Sequence, residues 1–262
     1  MSSNEWEQEF FIKKGKYFLE YMNLRWAYAE AMVDEIVKVL AEHDVQTGKI
    51  LDLCCGNGRL SIWLAKKGFE AVGIDLSPLF IEDAVRKANE FGVESQVKFL
   101  VGDIQKVDEI VVSEKPFDAV INFWTSIGYA DEKSDEEIFN KTRRITRKNG
   151  ILLIGQCMHR EFLPLQFNPR IYTEYEDTVL LEEREFNQIS SRLKSTWKYY
   201  TKEGENMRFL DSCIFNIRVY GVNEIVSILE KTGWKVMDVF GSLMTRRPFN
   251  ILTVMNIIAK AV

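Results

Sequence analysis

The middle of the chain alternates short apolar runs with longer amphipathic segments. There are five such runs, at residues 50–54, 70–75, 97–103, 117–124 and 150–157. Between the second and third runs, Ile81, Ala84, Val85 and Ala88 recur at helical spacing. Buried parallel strands are typically continuous apolar runs joined by helical crossovers. The pattern therefore predicts an α/β fold with a mostly parallel, Rossmann-like sheet and helices on both of its faces.

Both ends of the chain extend this core. Upstream, Val33, Ile36, Val37 and Leu40 predict a helix that packs on the sheet. It is preceded by the aromatic segment "FFIKKGKYFLEYMNLRWAY", which either packs in the core or covers a ligand as a lid. Downstream, Ile225, Ile228 and Leu229 predict a further helix. Two strands, "WKVMDVFG" and "ILTVMNIIAKA", follow it, and the short connection between them predicts an antiparallel last strand in a seven-stranded sheet.

The pattern of apolar and polar positions changes between about Thr178 and Tyr220, where strand-like segments follow one another without helices between them. Three strand-like segments follow one another there, with the turn signal "KEGEN" between the last two. We interpret this stretch as an antiparallel β insertion. At 262 residues the chain is expected to form one domain, with N-terminal helices in 1–48, a core in 49–160, the insertion in about 161–220 and a C-terminal helix and strand pair in 221–262.

Composition removes several classes of protein. The net charge of -5 weighs against nucleic acid as the main partner. No apolar run approaches the roughly 20 residues of a membrane span, and the N-terminus lacks a secretory pattern, so we expect a cytoplasmic protein without a membrane partner. Cys157 and Cys213 lie in strand-like segments and are expected to be reduced core residues. Without a Cys-x-x-Cys pair or a histidine cluster, no metal site is predicted.

Candidate chemistry begins at the end of the first run, in "ILDLCCGNGRL". Gly56 and Gly58 allow a tight turn that brings backbone amides close to a ligand. Asp75 ends the second run, about 20 residues on, where a carboxylate can accept hydrogen bonds from a ribose diol. A dinucleotide fingerprint would add a glycine at position 61, which is Ser61 here. The pattern favours a nucleoside site without a pyrophosphate.

The blocks "ILDLCCGNGRL", "VGIDLS", "VGDI", "FDAVINFW" and "NGILLIG" resemble, in order and spacing, the successive motifs of class I S-adenosylmethionine-dependent methyltransferases. The resemblance covers about residues 49–155. It implies S-adenosylmethionine (SAM) as the cofactor and S-adenosylhomocysteine (SAH) as its product. The terminal strand pair is similar to the reversed seventh strand of that family.

Carried over position by position, the resemblance implies a set of cofactor-binding residues. The residues implied for the methionine end of the cofactor are Asp52, Cys54, Gly56, Asn57 and Gly58. At the nucleoside, the resemblance implies Asp75 at the ribose, Leu76 beside the adenine, and Asp103 and Ile104 at the adenine amino group. It also implies that Asn122 and Phe123 form the floor of the site. A buried Asp52 also needs a partner, such as a backbone amide or a cationic ligand. The cofactor carboxylate has four rival partners, namely Arg59, Tyr17, Tyr21 and Arg25.

The methyl acceptor is predicted more by exclusion. The fourth run ends in "NFWTS", which lacks the Asn/Asp-Pro-Pro-aromatic run of enzymes that methylate amide or adenine nitrogens, and Cys157 lacks the preceding proline of the cytosine-C5 enzymes. The segments "NFWTSIGY" and "VYGVNEIVSILEKTGW" resemble the small-molecule N- and O-methyltransferases, including the amino-sugar N-methyltransferases. This implies a small-molecule acceptor in a pocket walled by Trp124, Tyr129 and the β insertion.

Two further groups are candidates on the acceptor side. His159, just past the fifth run, is a candidate general base, which a hydroxyl acceptor would use more than an amine. Arg246 and Arg247 lie in the last loop, where a guanidinium could pair with an anionic acceptor.

Three other functions stay open at this point. A NAD-dependent oxidoreductase would share Gly56, Gly58 and Asp75, although it has little use for Asp103. A protein or RNA methyltransferase would be favoured by a basic patch around residues 143–148. A nucleoside-binding scaffold would bind the cofactor without transferring a methyl group.

Overall fold

The computed structural model describes residues 3–262 and places a seven-stranded sheet at the centre of the protein. Its strands are β1 Lys49–Leu53, β2 Glu70–Asp75, β3 Val97–Val101, β4 Phe117–Phe123, β5 Thr146–Cys157, β10 Trp234–Phe240 and β11 Met255–Ala261. Their order across the sheet is β10-β11-β5-β4-β1-β2-β3. β11 is antiparallel to both of its neighbours, whereas the central strands are parallel. The predicted Rossmann-like sheet with a reversed last strand is confirmed.

Helices connect these strands and cover the sheet. They are α1 Ser3–Glu7, α2 Gly15–Asn23, α3 Ala29–Glu42, α4 Arg59–Lys66, α5 Pro78–Glu90, α6 Val107–Ile110, α7 Glu132–Ile145, α8 Leu163–Gln166 and α9 Val222–Lys231. A π-helix, Gln8–Lys13, joins the first two, and short 3₁₀ turns lie at Trp26–Tyr28 and Ile104–Lys106. Within residues 3–262, no helix combines the length and the apolar character that crossing a membrane requires.

The apolar runs are buried on both faces, as the predicted parallel sheet requires. Successive side chains of a strand point to opposite faces. In β1, Leu51 and Leu53 pack with Phe139 of α7 and Ile225 of α9, whereas Ile50 joins the cluster formed with α3 and α4 on the other face. This double burial explains why the strands are continuous apolar runs with no polar alternation.

The insertion is a four-stranded antiparallel sheet. Its strands are β6 Arg170–Tyr175, β7 Thr178–Asn187, β8 Arg192–Glu203 and β9 Asn206–Arg218, in that spatial order. The last three were predicted. β6 was missed because it is a short edge strand after Pro169, and Tyr172 and other residues on it are exposed, so the segment has no apolar run.

The N-terminal helices pack against the inner face of the insertion. Phe10 lies in an edge-on contact with Trp197, with ring centroids 5.2 Å apart, and Tyr17 stacks on Tyr199 at 4.5 Å. All four rings are at most 9% exposed. The aromatic segment is therefore a packing element that joins the helices and the insertion into one roof above the carboxyl ends of the central strands.

The loop after β4 fastens the insertion to the central sheet. Arg218 of β9 donates its backbone N–H to the Gly128 carbonyl at 2.7 Å. The buried Asp135 carboxylate accepts the Tyr220 hydroxyl at 2.6 Å and the Gly128 N–H at 3.1 Å. Gly128 has a φ of +85°, in the region that favours glycine.

We expect Gly128→Ala to destabilise the protein by more than about 2 kcal/mol, because left-handed strain adds to overpacking. The new Cβ would lie 2.0 Å from the Arg218 carbonyl oxygen. Gly204→Ala is the matched control, since its φ is +67° and no atom lies within 4 Å of the new Cβ. Urea unfolding should show the control losing only the strain of about 1–2 kcal/mol, and equal losses would contradict the fastening role.

Candidate functional site

A cavity of about 900 Å³ lies over the carboxyl ends of the central strands, below the roof. Four residues on its floor are non-glycine residues in the left-handed region: Cys54 after β1, Trp124 and Thr125 after β4, and Gln156 near the end of β5, with φ between +54° and +60°. Such strain is uncommon outside glycine and concentrates at functional sites. The chain thus departs from regular strand geometry where β1, β4 and β5 meet the cavity.

The Gly-x-Gly turn brings one of its glycines to the cavity. Gly56 lines it, and its N–H donates to Asp75 Oδ2 at 2.9 Å. A Cβ at this position would lie 2.8 Å from the Met22 sulfur. Gly58 is buried below the turn instead, where a Cβ would lie 2.6 Å from the Phe99 ring. One glycine therefore opens the backbone to the cavity and the other permits close packing.

Asp75 lies at the end of β2 and faces the cavity beside Leu76. Its second oxygen accepts the Ser77 N–H at 3.0 Å. Burial raises the pKa of this carboxyl to about 6, and the backbone hydrogen bonds oppose the rise. A carboxylate oxygen can accept more than one hydrogen bond, so both oxygens still have capacity for a ligand hydroxyl.

Asp103 extends the same acidic end of the cavity. It follows β3, and its Oδ1 accepts the Gln105 N–H at 2.9 Å, which fixes the side chain at the start of a short 3₁₀ turn. Ile104 lines the cavity beside it. Phe123, at the end of β4, contributes to the floor.

Like Gly58, three other predicted cofactor residues lie under the cavity floor and do not line it. Asp52 is 2% exposed, and its Oδ2 accepts the Ser61 hydroxyl at 2.7 Å. Asn122 donates to the Leu53 carbonyl at 3.3 Å. The Asn57 amide lies 3.0 Å from that of Asn23 in α2. Their side chains support the turns that carry the cavity residues.

Arg59 is a buried cation at the cavity wall. Its guanidinium carbon lies 3.6 Å from the centroid of the Trp124 ring, a short cation–π distance. Burial lowers the pKa of Arg59 to about 9, and the nearby Asp52 opposes this shift. Its Nε has no hydrogen-bond partner among the residues that the structure describes. This buried donor is therefore left unsatisfied by the described part of the chain.

The structure separates the other three candidates for the cofactor carboxylate. Tyr21 and Arg25 line the cavity, and Arg25 Nη2 donates to the Tyr21 hydroxyl at 2.7 Å. Tyr17 does not line it, because its ring is stacked on Tyr199 within the roof. Tyr17 thus has a packing role.

Trp124 and Tyr129, predicted for the acceptor wall, both line the cavity. They belong to an aromatic surface completed by the roof, whose further members include Phe11, Phe18, Trp197 and Phe215. Phe11 and Phe18 come from the N-terminal helices, so these helices also cover the cavity. The aromatic segment therefore contributes rings both to the packing of the roof and to the wall of the cavity.

His159 and the last-loop arginines lie away from the cavity. The His159 ring is fully buried, with Nδ1 3.0 Å from Glu161 Oε2 and Nε2 2.7 Å from the Thr253 carbonyl. Arg246 Nη2 lies 2.9 Å from Glu42 Oε2, and neither Arg246 nor Arg247 lines the cavity. Because its partners hold both ring nitrogens, His159 is not placed to act as a base there.

Several polar cavity residues were missed from the sequence, and those on the roof include Glu7 of α1, Glu182 and Arg184 of β7, and Ser195 of β8. Glu7 Oε1 is buried without a partner among the described residues. Burial, with Asp103 and Asp135 nearby, raises the pKa of Glu7 to about 7. No sequence motif marks these residues. The one available signal is the spacing of Glu182 and Arg184, which are two positions apart and therefore place two charges on one face of a strand.

The sheet order, the reversed strand and the cavity at the carboxyl edge define a Rossmann-like protein of the methyltransferase type. The model of the family described as "Methyltransferase domain" matches residues 44–217, and the chain belongs to that family. The match includes the turn, the acidic end of the cavity and nearly all of the insertion.

Individual relatives support this assignment at different levels. YqeM of Bacillus subtilis (strain 168), named as a candidate methyltransferase, is 36% identical over 135 residues, which are 51% of this chain and 51% of that protein. The chain thus spans about half the length of that relative. A SAM-dependent methyltransferase from Clostridium acetobutylicum ATCC 824 shares the fold, with a TM-score of 0.75 and 16% identity over 87% of this chain and 90% of that chain.

A second solved structure is that of SAM-bound CalS10, an amino pentose methyltransferase from Micromonospora echinaspora. Its TM-score is 0.69 at 14% identity, and the match covers 89% of this chain and 92% of that chain. At these identities the two structures show a common fold and nothing finer.

The buried acids predict how stability depends on pH. Burial raises the pKa of Asp52 to about 7, so its ionisation is unfavourable in the folded protein. Glu7, Asp75 and Asp135 are shifted in the same direction, to about 7, 6 and 6. Because the folded state binds more protons than the unfolded state between about pH 4 and 7, stability should fall as pH rises through this window.

We expect the thermal midpoint to decrease from about pH 5 to pH 7.5, and Asp52→Asn to reduce this decrease. The amide keeps an oxygen for the Ser61 hydroxyl but cannot ionise. The control is Asp177→Asn at an exposed position, which should leave the slope unchanged. A steeper slope in Asp52→Asn would contradict the assignment of a buried, protonated acid.

Proposed function

We propose that the protein is a SAM-dependent methyltransferase that transfers a methyl group to a nitrogen or oxygen of a small molecule. The observation that carries this proposal is the charge pattern of the cavity. The acids Asp75 and Asp103 lie at the β2 and β3 side, and the cations Arg59 and Arg25 lie toward β1 and the N-terminal helices. SAM has hydrogen-bond donors on its nucleoside and a carboxylate at its other end, so it fits this order.

The cofactor roles follow from these positions. Asp75 would accept hydrogen bonds from the ribose diol, and Asp103 one from the adenine amino group, with the Ile104 N–H as a donor. The Gly56 turn would bring the backbone close to the methionine end. Arg59 is the better placed partner for the carboxylate, because it lines the cavity and is held by Trp124.

The acceptor would lie on the β4 and β5 side, since the nucleoside residues occupy the β2 and β3 side. Bound SAM supplies a methyl group on an activated sulfonium, so much of the barrier can be met by aligning the acceptor. The aromatic rings exclude water there. Glu7 lies between the two sides, near Asp103 after β3 and near Asp135 at the loop after β4, and would receive the acceptor's proton in place of His159. Its raised pKa, about 7, suits a proton acceptor near neutral pH. The amino pentose substrate of CalS10 is compatible with such a pocket.

A thermal-shift titration with SAM, SAH and NAD in parallel tests the proposal without an acceptor. A ligand at about 100 times its Kd should add about 2.7 kcal/mol to the stability of the folded protein. We expect SAM and SAH to raise the midpoint and NAD to leave it unchanged. Stabilisation by NAD alone would favour an oxidoreductase, and no response to SAM or SAH would exclude the proposed cofactor.

Asp75→Ala should weaken SAH binding roughly tenfold to a hundredfold, because charge-assisted hydrogen bonds are worth about 1.5–3 kcal/mol. Asp75→Asn keeps one acceptor oxygen for the turn and should lose less. Asp177→Ala, at an exposed position, serves as the control in the same calorimetric titration. Unchanged affinity in a folded Asp75→Ala variant would show that the ribose binds elsewhere.

A further inference from the structure

Arg184 lies on the acceptor side of the cavity. It is on the inner face of β7, and its Nη2 lies 3.9 Å from the Met158 sulfur. Met158 follows β5, and its N–H donates to the Thr125 hydroxyl at 3.2 Å, beside the end of β4. These contacts place the guanidinium over β4 and β5, away from the β2 and β3 side where Asp75 and Asp103 lie.

Arg184 differs from the other partly buried arginines of the insertion, Arg192 and Arg218, in having no strong acceptor. Arg208 and Arg218 form ion pairs with glutamates, and Arg192 donates to backbone carbonyls. Among the side chains that the structure describes, Arg184 forms no ion pair, and its one hydrogen-bond acceptor is a thioether. A thioether sulfur is a weak acceptor, whereas a guanidinium carries five N–H donors.

The environment makes this unpaired charge costly. Arg184 is half-buried, its guanidinium carbon lies 5.6 Å from the Phe167 ring centroid, and burial lowers its pKa. A partly desolvated cation needs an anion or strong acceptors to offset the loss of water. Glu182 on the same strand face lies beyond ion-pair distance, and its Oε2 is 3.4 Å from the Ser195 hydroxyl. The N–H groups of Arg184 are therefore left to a ligand.

We propose that Arg184 binds an anionic group, a carboxylate or a phosphate, carried by the methyl acceptor. The planar guanidinium matches both groups with paired hydrogen bonds. The proposal rests on the proposed function, since it assumes that the β4 and β5 side holds the acceptor. It gives the anion-binding role that the sequence suggested for Arg246 to a different residue, because Arg246 is paired with Glu42 outside the cavity.

The test measures the binding of inorganic phosphate and of acetate to the SAH complex by thermal shift, at matched ionic strength in sodium chloride. Arg184→Gln should weaken the preferred anion about tenfold or more. Arg184→Lys should retain part of the affinity for the anion. Glu182→Gln should increase this affinity, because it removes a negative charge that repels the anion. Arg170→Gln, at an exposed arginine of the neighbouring strand β6, is the matched control and should change nothing.

The two readouts separate this proposal from the proposed function. SAH affinity, measured in every variant, reports on folding and on the cofactor site. Failure of SAH to bind the wild type would overturn the proposed function. Equal anion affinity in the wild type and Arg184→Gln, with SAH bound to both, would overturn the Arg184 assignment alone. Preference for phosphate or for acetate would identify which of the two groups the acceptor carries.

Discussion

The cavity depends on one carboxylate that joins two strand ends. Asp75 accepts the Gly56 N–H with one oxygen and the Ser77 N–H with the other, so it fixes the turn after β1 and the start of α5 together. Without it, buried amides of both segments would lose their acceptor, at a cost of about 1–3 kcal/mol for each unsatisfied group. The residue proposed for the ribose therefore also builds the floor on which a ligand would rest.

The central sheet was predictable because double burial leaves a strong trace in the sequence, namely five continuous apolar runs and glycines at the first turn. The left-handed residues of the floor leave no such trace. Trp124 and Thr125 are not residue types that favour this conformation, and it is stabilised by distant partners: Gly155 accepts the Trp124 N–H, and Thr125 accepts the Met158 N–H. A local pattern cannot report hydrogen bonds between separate strands.

The candidate site likewise contains residues that could be predicted from the sequence and residues that could not. Asp75 could be placed because it ends a strand of the parallel sheet, and strand ends meet at one edge. Asp103 was predicted from the family resemblance alone. The position of the His159 ring could not be predicted, since its orientation is set by the Thr253 carbonyl, 94 residues away. Glu7 and Arg184 lie on segments that reach the cavity only when the roof assembles.

Floor and roof come from separate parts of the chain, and this has an evolutionary consequence. The floor belongs to the central sheet, whereas the roof is contributed by the N-terminal helices and by β6–β9. Under the proposed function, substitutions at roof positions such as Glu182, Arg184 or Ser195 would change which acceptor binds without disturbing Asp75 or the glycine turn. On that proposal, a lineage carrying this architecture would acquire new acceptors by drift in the insertion while the cofactor requirement persists.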